Sequence, residues 1–431
     1  MPPPFPSRAE IEADQLEQLR ALVTELFPAN AFYTRKLEDC GVTFDVASLA
    51  DFSRRFPFTT KAELVADQAA HPPFGSNLTY PLAAYTRFHQ TSGTTGAPLR
   101  WLDTPESWAW LRELWTRVFT AAGVTAADRV CFAFSFGPFL GFWMAFESAQ
   151  QLGCLCLPTG GMSSAARLRL LLDNGVTTLC CTPTYALRLG EVAREEGLDL
   201  GRSRVRRILV AGEPGGSLPA VRARIESLWP DARVRDHHGM TEVGPVTYEC
   251  PAQPGVLHVM ESGHYAEVIA PATGQPVSPG ETGELVLTPL GRVASPVLRY
   301  RTGDLVRPAA VRAACVCGTH ELALAGGILG RTDDMVIVRG VNVHPAAVEE
   351  ILRAAGGVAE YQVTVTTRGP LAELALAIEP AADAGDATAL ARKIGGALET
   401  ALGLRIPVHT VAAGSLPRFE LKARRWHRAG K

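Results

Sequence analysis

Lysine is nearly missing from this chain. Lys36, Lys61, Lys393, Lys422 and Lys431 are its only five, against 37 arginines (42 Lys plus Arg, minus 5). Where guanidinium is so favoured, a retained lysine argues for a compact ammonium, although a solvated surface position accounts for any of the five. No lysine- or arginine-rich block occurs, and the net charge of −2 argues against a nucleic-acid or anionic-membrane surface. The chain opens on Met1-Pro2-Pro3-Pro4-Phe5-Pro6, without the charged segment and apolar run of a signal peptide. Its most apolar stretch, 130–149, is too interrupted by Ser135, Gly137, Pro138 and Glu147 to span a bilayer. With no export signal, the nine cysteines read as thiols and metal ligands rather than disulfides. The expectation is a soluble cytoplasmic enzyme, and 431 residues leave room for more than one domain.

What is present is a β-α-β rhythm. Strands expected at 130–134, 154–157, 178–181 and 207–210 alternate with helices expected at 142–152, 165–174, 185–196 and 218–229. That order implies a mainly parallel sheet covered by helices. Residues 10–40 read as helical from apolar residues at three-to-four spacing. From 245 to 310, short β runs with Gly/Pro turns point to a smaller antiparallel sheet. Beyond 330, strands at 335–338, 361–367 and 373–378 and helices at 345–355 and 387–402 make a compact α+β unit. The expected fold is α/β, with a large N-terminal domain over 1–329, including a small β subdomain, and a small C-terminal domain over 330–431.

Between a strand expected at 85–88 and a helix around 108–119 lies Thr91-Ser92-Gly93-Thr94-Thr95-Gly96. Glycines let a backbone approach polyphosphate, exposed N–H groups donate to it, and threonine oxygens reach phosphate or hydrated Mg²⁺. The Walker pattern G-x-x-x-x-G-K-[ST] is absent here, and a bare Ser/Thr/Gly segment is often only a loop. Its company is more informative. Ala211-Gly212-Glu213-Pro214, His238-Gly239-Met240-Thr241-Glu242, Tyr300-Arg301-Thr302-Gly303-Asp304, Gly330-Arg331-Thr332-Asp333-Asp334 and Lys422 follow in that order. Together these resemble the adenylate-forming enzymes, the superfamily of acyl–coenzyme A synthetases. Phe56-Pro57-Phe58-Thr59-Thr60-Lys61 and the stretch 330–345 are most similar to the phenylacetate–coenzyme A ligase subfamily.

That resemblance implies ATP-dependent conversion of a carboxylic acid to an acyl-adenylate, then transfer to coenzyme A. Both first-step reactants are anions, so charge must be neutralised and the reactants aligned. By resemblance, Ser92, Thr94 and Thr95, with Gly93 and Gly96, hold the β- and γ-phosphates; Thr241 contacts the α-phosphate; and Glu242 binds Mg²⁺. Asp304, presented at the end of a strand, accepts the ribose hydroxyls, and Arg331 joins at ribose or phosphate. Gly212, Glu213 and Pro214 border adenine. His238, beside Gly239 and Met240, takes the place of an adenine-stacking aromatic, with a metal-binding pair with His237 as the competing reading. Relatives carry a lysine past the phosphate loop where Ala97-Pro98-Leu99-Arg100 stands, so Arg100 either substitutes or points away. The C-terminal domain is expected to be a mobile lid that hinges at Asp333 and presents Lys422 to the transition state. Leu421 replaces the usual preceding glycine.

Phe134, Phe136 and Phe139, beside Gly137 and Gly141 and near Gly160 and Gly161, suit a flat slot for an aryl ring, although core packing explains the same residues. An aromatic or arylacetic acid is the expected substrate. Cys250, His258, Cys315 and Cys317 could supply tetrahedral S₃N ligation to structural Zn²⁺, as in some relatives, with His320 spare. Two rival functions stay open: passage of the acyl group to a carrier protein, amine or alcohol, and a nucleotide-binding protein that no longer ligates. The resemblance also suggests a homodimer.

Overall fold

The computed structural model describes residues 5–91, 97–309, 314–339, 341–368, 371–420 and 422–429. The chain separates into two compact units, each made from two stretches: Met1–Gly161 with Asp236–Ile328, and Met162–Arg235 with Leu329–Lys431. Among the described residues no helix is long and apolar enough to cross a membrane.

In the first unit, the helical region expected over 10–40 is two helices. Ser7 and Glu10 form a capping box that starts Arg8–Leu26. Phe27-Pro28 interrupts it, since proline has no N–H to donate, and Asn30 caps Ala31–Asp39 by accepting from Tyr33 N–H. Strands Arg87–Gln90 and Arg100–Asp103 pair antiparallel. Helix Pro105–Ala121 follows, with Thr104 as cap and proline at its first position. Strands Arg129–Phe132 and Leu155–Pro158 are parallel, and helix Leu140–Gln151 makes the crossover between them. The second stretch is antiparallel. His264–Ile269, Gly283–Pro289 and Tyr300–Val306 form successive pairs, and Val256–Val259 lies between Thr247–Glu249 and Ala323–Ala325. Leu19, Leu22, Phe52, Phe56, Leu285, Leu287 and Tyr300 meet in one core, so the N-terminal helices cover the antiparallel sheet.

In the second unit, strands Thr178–Cys181 and Arg207–Val210 are parallel and joined through helix Pro183–Glu195, which Thr182 caps. The C-terminal stretch has a four-stranded sheet in the order Val408–Thr410, Leu371–Pro380, Val358–Arg368, Trp426–Ala429. Helices Pro345–Ala355 and Ala387–Leu402 bury Leu352, Ile394 and Leu398 against Tyr361, Val363, Leu376 and Ile378. The architecture is α/β, with parallel strand pairs under helices, an antiparallel β region and an α+β C-terminal part, as the periodicity predicted.

Candidate active site

The first unit concentrates its chemistry on one irregular strand. Tyr300 faces Leu287 and Arg301 faces Val286, but Leu305 faces Glu284, so Thr302-Gly303-Asp304 lies opposite Leu285 alone. Such a bulge re-aims side chains. Gly303 takes φ +77°, a conformation that strains any residue with a Cβ. The Thr302 hydroxyl donates to Leu285 O (2.7 Å) and accepts from Asp304 N–H (3.0 Å). Asp304 therefore sits at a bulge inside its strand, not at the strand end that the motif suggested.

His238 Nε2 lies 2.8 Å from Asp304 Oδ2, and His238 N–H donates to the Thr247 hydroxyl (2.8 Å). The imidazole expected at adenine is thus tied by its edge to the carboxylate expected at ribose. His237 turns elsewhere. It is buried edge-on to Trp115, with ring centroids 4.4 Å apart, and burial pushes it down to about 3. The two adjacent rings thus meet different partners, Asp304 and Trp115.

Glu242 is buried and accepts from the Tyr300 hydroxyl at 3.2 Å, while the Lys61 ammonium stands 3.5 Å from the same oxygen. Arg292 braces the turn from behind. Its Nε and Nη2 donate to the two Asp103 oxygens (2.7 and 2.6 Å), and its Nη1 donates to Thr241 O (2.6 Å). Sequence reasoning assigned no role to Lys61, Tyr300 or Arg292. The rarity of lysine was a usable signal for Lys61; one arginine among 37 carries none.

Ser92, Gly93, Thr94, Thr95 and Gly96 lie outside the described residues, as does Leu421. The residues flanking that segment are described: Thr91 N–H donates to Leu99 O (2.9 Å), and Leu99 N–H to the Thr91 hydroxyl (3.0 Å). Arg100 Nη1 donates to Pro73 O at 2.8 Å.

The second unit gathers a different set. Gly212 has φ +94°, and a Cβ there would lie 3.4 Å from Lys422 Cε. Glu213, between Gly212 and Pro214, accepts from Thr184 N–H on Oε1 and from Ala423 N–H on Oε2, both at 2.9 Å. Arg425 anchors the far side of this loop, donating from Nε and Nη2 to Glu360 (2.6 and 3.1 Å). Arg331 Nε reaches Asp333 Oδ1 at 2.8 Å across an exposed turn.

Residues 88–289 match the AMP-binding enzyme family, and residues 340–427 match the AMP-binding enzyme C-terminal domain. The chain is 33% identical over 375 residues to the phenylacetate–coenzyme A ligase of Thermus thermophilus, covering 86% of this chain and 82% of that one. It is 33% identical over 439 residues to that of Aromatoleum evansii, covering 97% and 94%. The chain belongs to the phenylacetate–coenzyme A ligase family. A solved 2-hydroxyisobutyryl–coenzyme A ligase, in the postadenylation state with R3-HIB-AMP, is similar in structure, with TM-score 0.93 and 30% identity over 99% of this chain and 91% of that one.

In this ligase the aromatic cluster is a packed wall. Phe134 stacks on Phe142 at 4.1 Å, Phe136 lies 4.9 Å from Trp143 and 5.5 Å from Phe146, and Phe139 meets Phe142 edge-on at 5.8 Å. Gly137 takes φ +47° with the Phe139 ring close by, whereas a Cβ on Gly141 or Gly161 would meet nothing within 4 Å. At Gly160 an added Cβ would touch Phe136 at 3.6 Å.

The ligase also brings Cys250, His258, Cys315 and Cys317 together, with all four ligand atoms within 4.8 Å of one another. Cys250 Sγ is 3.7 Å from Cys315 Sγ, and Cys317 Sγ is 3.6 Å from His258 Nε2. A tetrahedron with metal–sulfur bonds of about 2.3 Å has sulfur–sulfur edges of about 3.8 Å, so the set fits zinc. Desolvation pushes the Cys317 thiol up to about 12 where no ion is present, a cost that a bound cation would remove. His320 is not in the cluster.

Proposed function

We propose that the acid this enzyme activates is aromatic or arylacetic. As a family member it is an AMP-forming acid–thiol ligase. ATP and a carboxylate give an acyl-adenylate and pyrophosphate, and coenzyme A then takes the acyl group as AMP leaves. The observation that carries the aromatic reading is open space at Gly141 and Gly161 beside a wall of phenyl faces. A flat ring gains apolar burial and offset stacking there. The mutual stacking of Phe134 and Phe142 favours a second reading, a short branched acid, because those two faces already cover each other.

The residue roles follow from charge. Asp304 accepts the ribose hydroxyls and His238 orients it. The Thr241 hydroxyl meets the α-phosphate. Glu242 would hold Mg²⁺, which neutralises phosphate charge, and Lys61 adds a cation beside it. Ser92, Thr94 and Thr95 cradle the outer phosphates, and Arg331 contributes a further cation to the nucleotide. Lys422 neutralises charge as the acyl carboxylate attacks, and Asp333 is the hinge of a lid over 330–431. Zn²⁺ at Cys250, His258, Cys315 and Cys317 would tie loops together without touching the acyl group.

ATP–pyrophosphate exchange across aryl, arylacetic, short 2-hydroxy and fatty acids tests this reading, with coenzyme A consumption as the second readout. Exchange is expected with an aromatic acid and should fall by about 10²–10³ in Lys422→Ala. Exchange confined to short hydroxy acids would overturn the aromatic assignment. Pyrophosphate release without coenzyme A consumption would move the acceptor to a carrier protein.

A further inference from the structure

Glu213 lies in a motif whose neighbours border a nucleotide, yet its carboxylate is spent on the protein. Helix Pro183–Glu195 begins with free backbone donors. Thr182 accepts from Tyr185 N–H, and Glu213 Oε1 takes the N–H of Thr184. The opposite oxygen, Oε2, holds the N–H of Ala423, the residue after Lys422. One carboxylate thereby ties the Lys422 backbone to a helix terminus. Gly212 lines the seat: at φ +94° it takes a conformation that favours glycine, and a Cβ there would lie in ordinary contact, 3.4 Å from Lys422 Cε and 3.8 Å from Thr182 Cγ2. A carboxylate accepting two backbone N–H groups is a stronger tie than a neutral pair.

We infer that Glu213 is a positioning residue that sets Lys422 for acyl-adenylate formation and has no part in thioester formation. The inference rests on the assignment of Lys422 to the first half-reaction. A lysine side chain has four rotatable bonds, so it delivers charge to one point only where its backbone and stem are held. Glu213 holds the backbone, and the stem runs beside Gly212.

Glu213→Ala, Glu213→Gln and Lys422→Ala separate the possibilities through two assays. One is ATP–pyrophosphate exchange; the other is thioester formation from synthetic acyl-adenylate and coenzyme A. Glu213→Ala should lower the exchange kcat by about 10- to 100-fold, from two lost charge-assisted hydrogen bonds, with little change in the KM for ATP. Glu213→Gln keeps one acceptor oxygen and should fall between. Thioester formation should fall far less than exchange in both, and its retention also shows that the variants are folded. Equal losses in both half-reactions would reduce Glu213 to a structural residue and overturn the inference. So would unchanged exchange in Glu213→Ala alongside lost exchange in Lys422→Ala. Exchange surviving in Lys422→Ala would instead remove the assignment on which the inference stands.

Discussion

Replacing Asp103 with leucine should strongly destabilise this enzyme. Asp103 and Arg292 form an ion pair with both side chains fully shielded from solvent, closed by two parallel hydrogen bonds of 2.7 and 2.6 Å. Without Asp103 the guanidinium retains Thr241 O at 2.6 Å and the Trp101 ring at 5.2 Å, and neither supplies a counter-charge. An uncompensated buried charge costs about 3–5 kcal/mol. The double variant Asp103→Leu/Arg292→Met removes the charge as well and should return to within about 1 kcal/mol of the parent, because packed apolar residues replace such pairs at little cost. Urea unfolding followed by tryptophan fluorescence measures both, with m-values compared to check that the unfolding unit is the same. Function should not return with stability. Thr241 O has lost its donor in the double variant, so the turn carrying Thr241 and Glu242 is looser, and pyrophosphate exchange should remain below the parent rate. A single variant within about 1 kcal/mol of the parent would refute the electrostatic argument. A double variant with parental exchange would refute the bracing role.

Metal analysis of the purified enzyme should find about one zinc per chain, absent from Cys315→Ser/Cys317→Ser, with lower thermal stability but retained exchange; a metal-free parent of full stability would sink this assignment. Stability should also fall in mild acid. Burial holds His89 and His264 down at about 4 and His237 at about 3, whereas an unfolded histidine takes a proton near 6.5. The unfolded state then binds more protons in that window. These groups leave stability intact above 6.5 and withdraw it as pH falls towards 4. Unfolding midpoints that do not change between about pH 7 and pH 5 would contradict the burial of these rings.

Local signals were strong where an element could be read from its own residues. Helices Pro345–Ala355 and Ala387–Leu402 occupy the residues that apolar spacing marked, each with a matching start: a proline at the first turn and an Asp386 cap. Strands Val408–Thr410 and Trp426–Ala429 were invisible. They are short, mostly exposed and on the edges of their sheet, so they lack alternation and exist through parallel pairing with distant partners. The bulge at Thr302-Gly303-Asp304 was equally hidden, because a bulge is a register shift between two strands and pairing register is not written in either one.

The sequence by itself determined the chemistry on offer: the order of the nucleotide motifs, the retained Lys422 and Lys61, and four zinc-competent Cys and His residues spread over positions 250–317. Motifs of this kind are local strings, legible without a fold. Only the tertiary structure decided which side chains those motifs meet. It joined His238 to Asp304, set Arg292 behind Thr241, gave Arg100 to Pro73 O, and drew Cys250 and His258 to within ligand distance of Cys315 and Cys317. It also gave Glu213 to the backbone beside Lys422. Each of these is a pairing between residues far apart in the chain. Such pairings are fixed by the packing of sheets and helices, because a buried charge or polar group must find its partner wherever the core happens to place one.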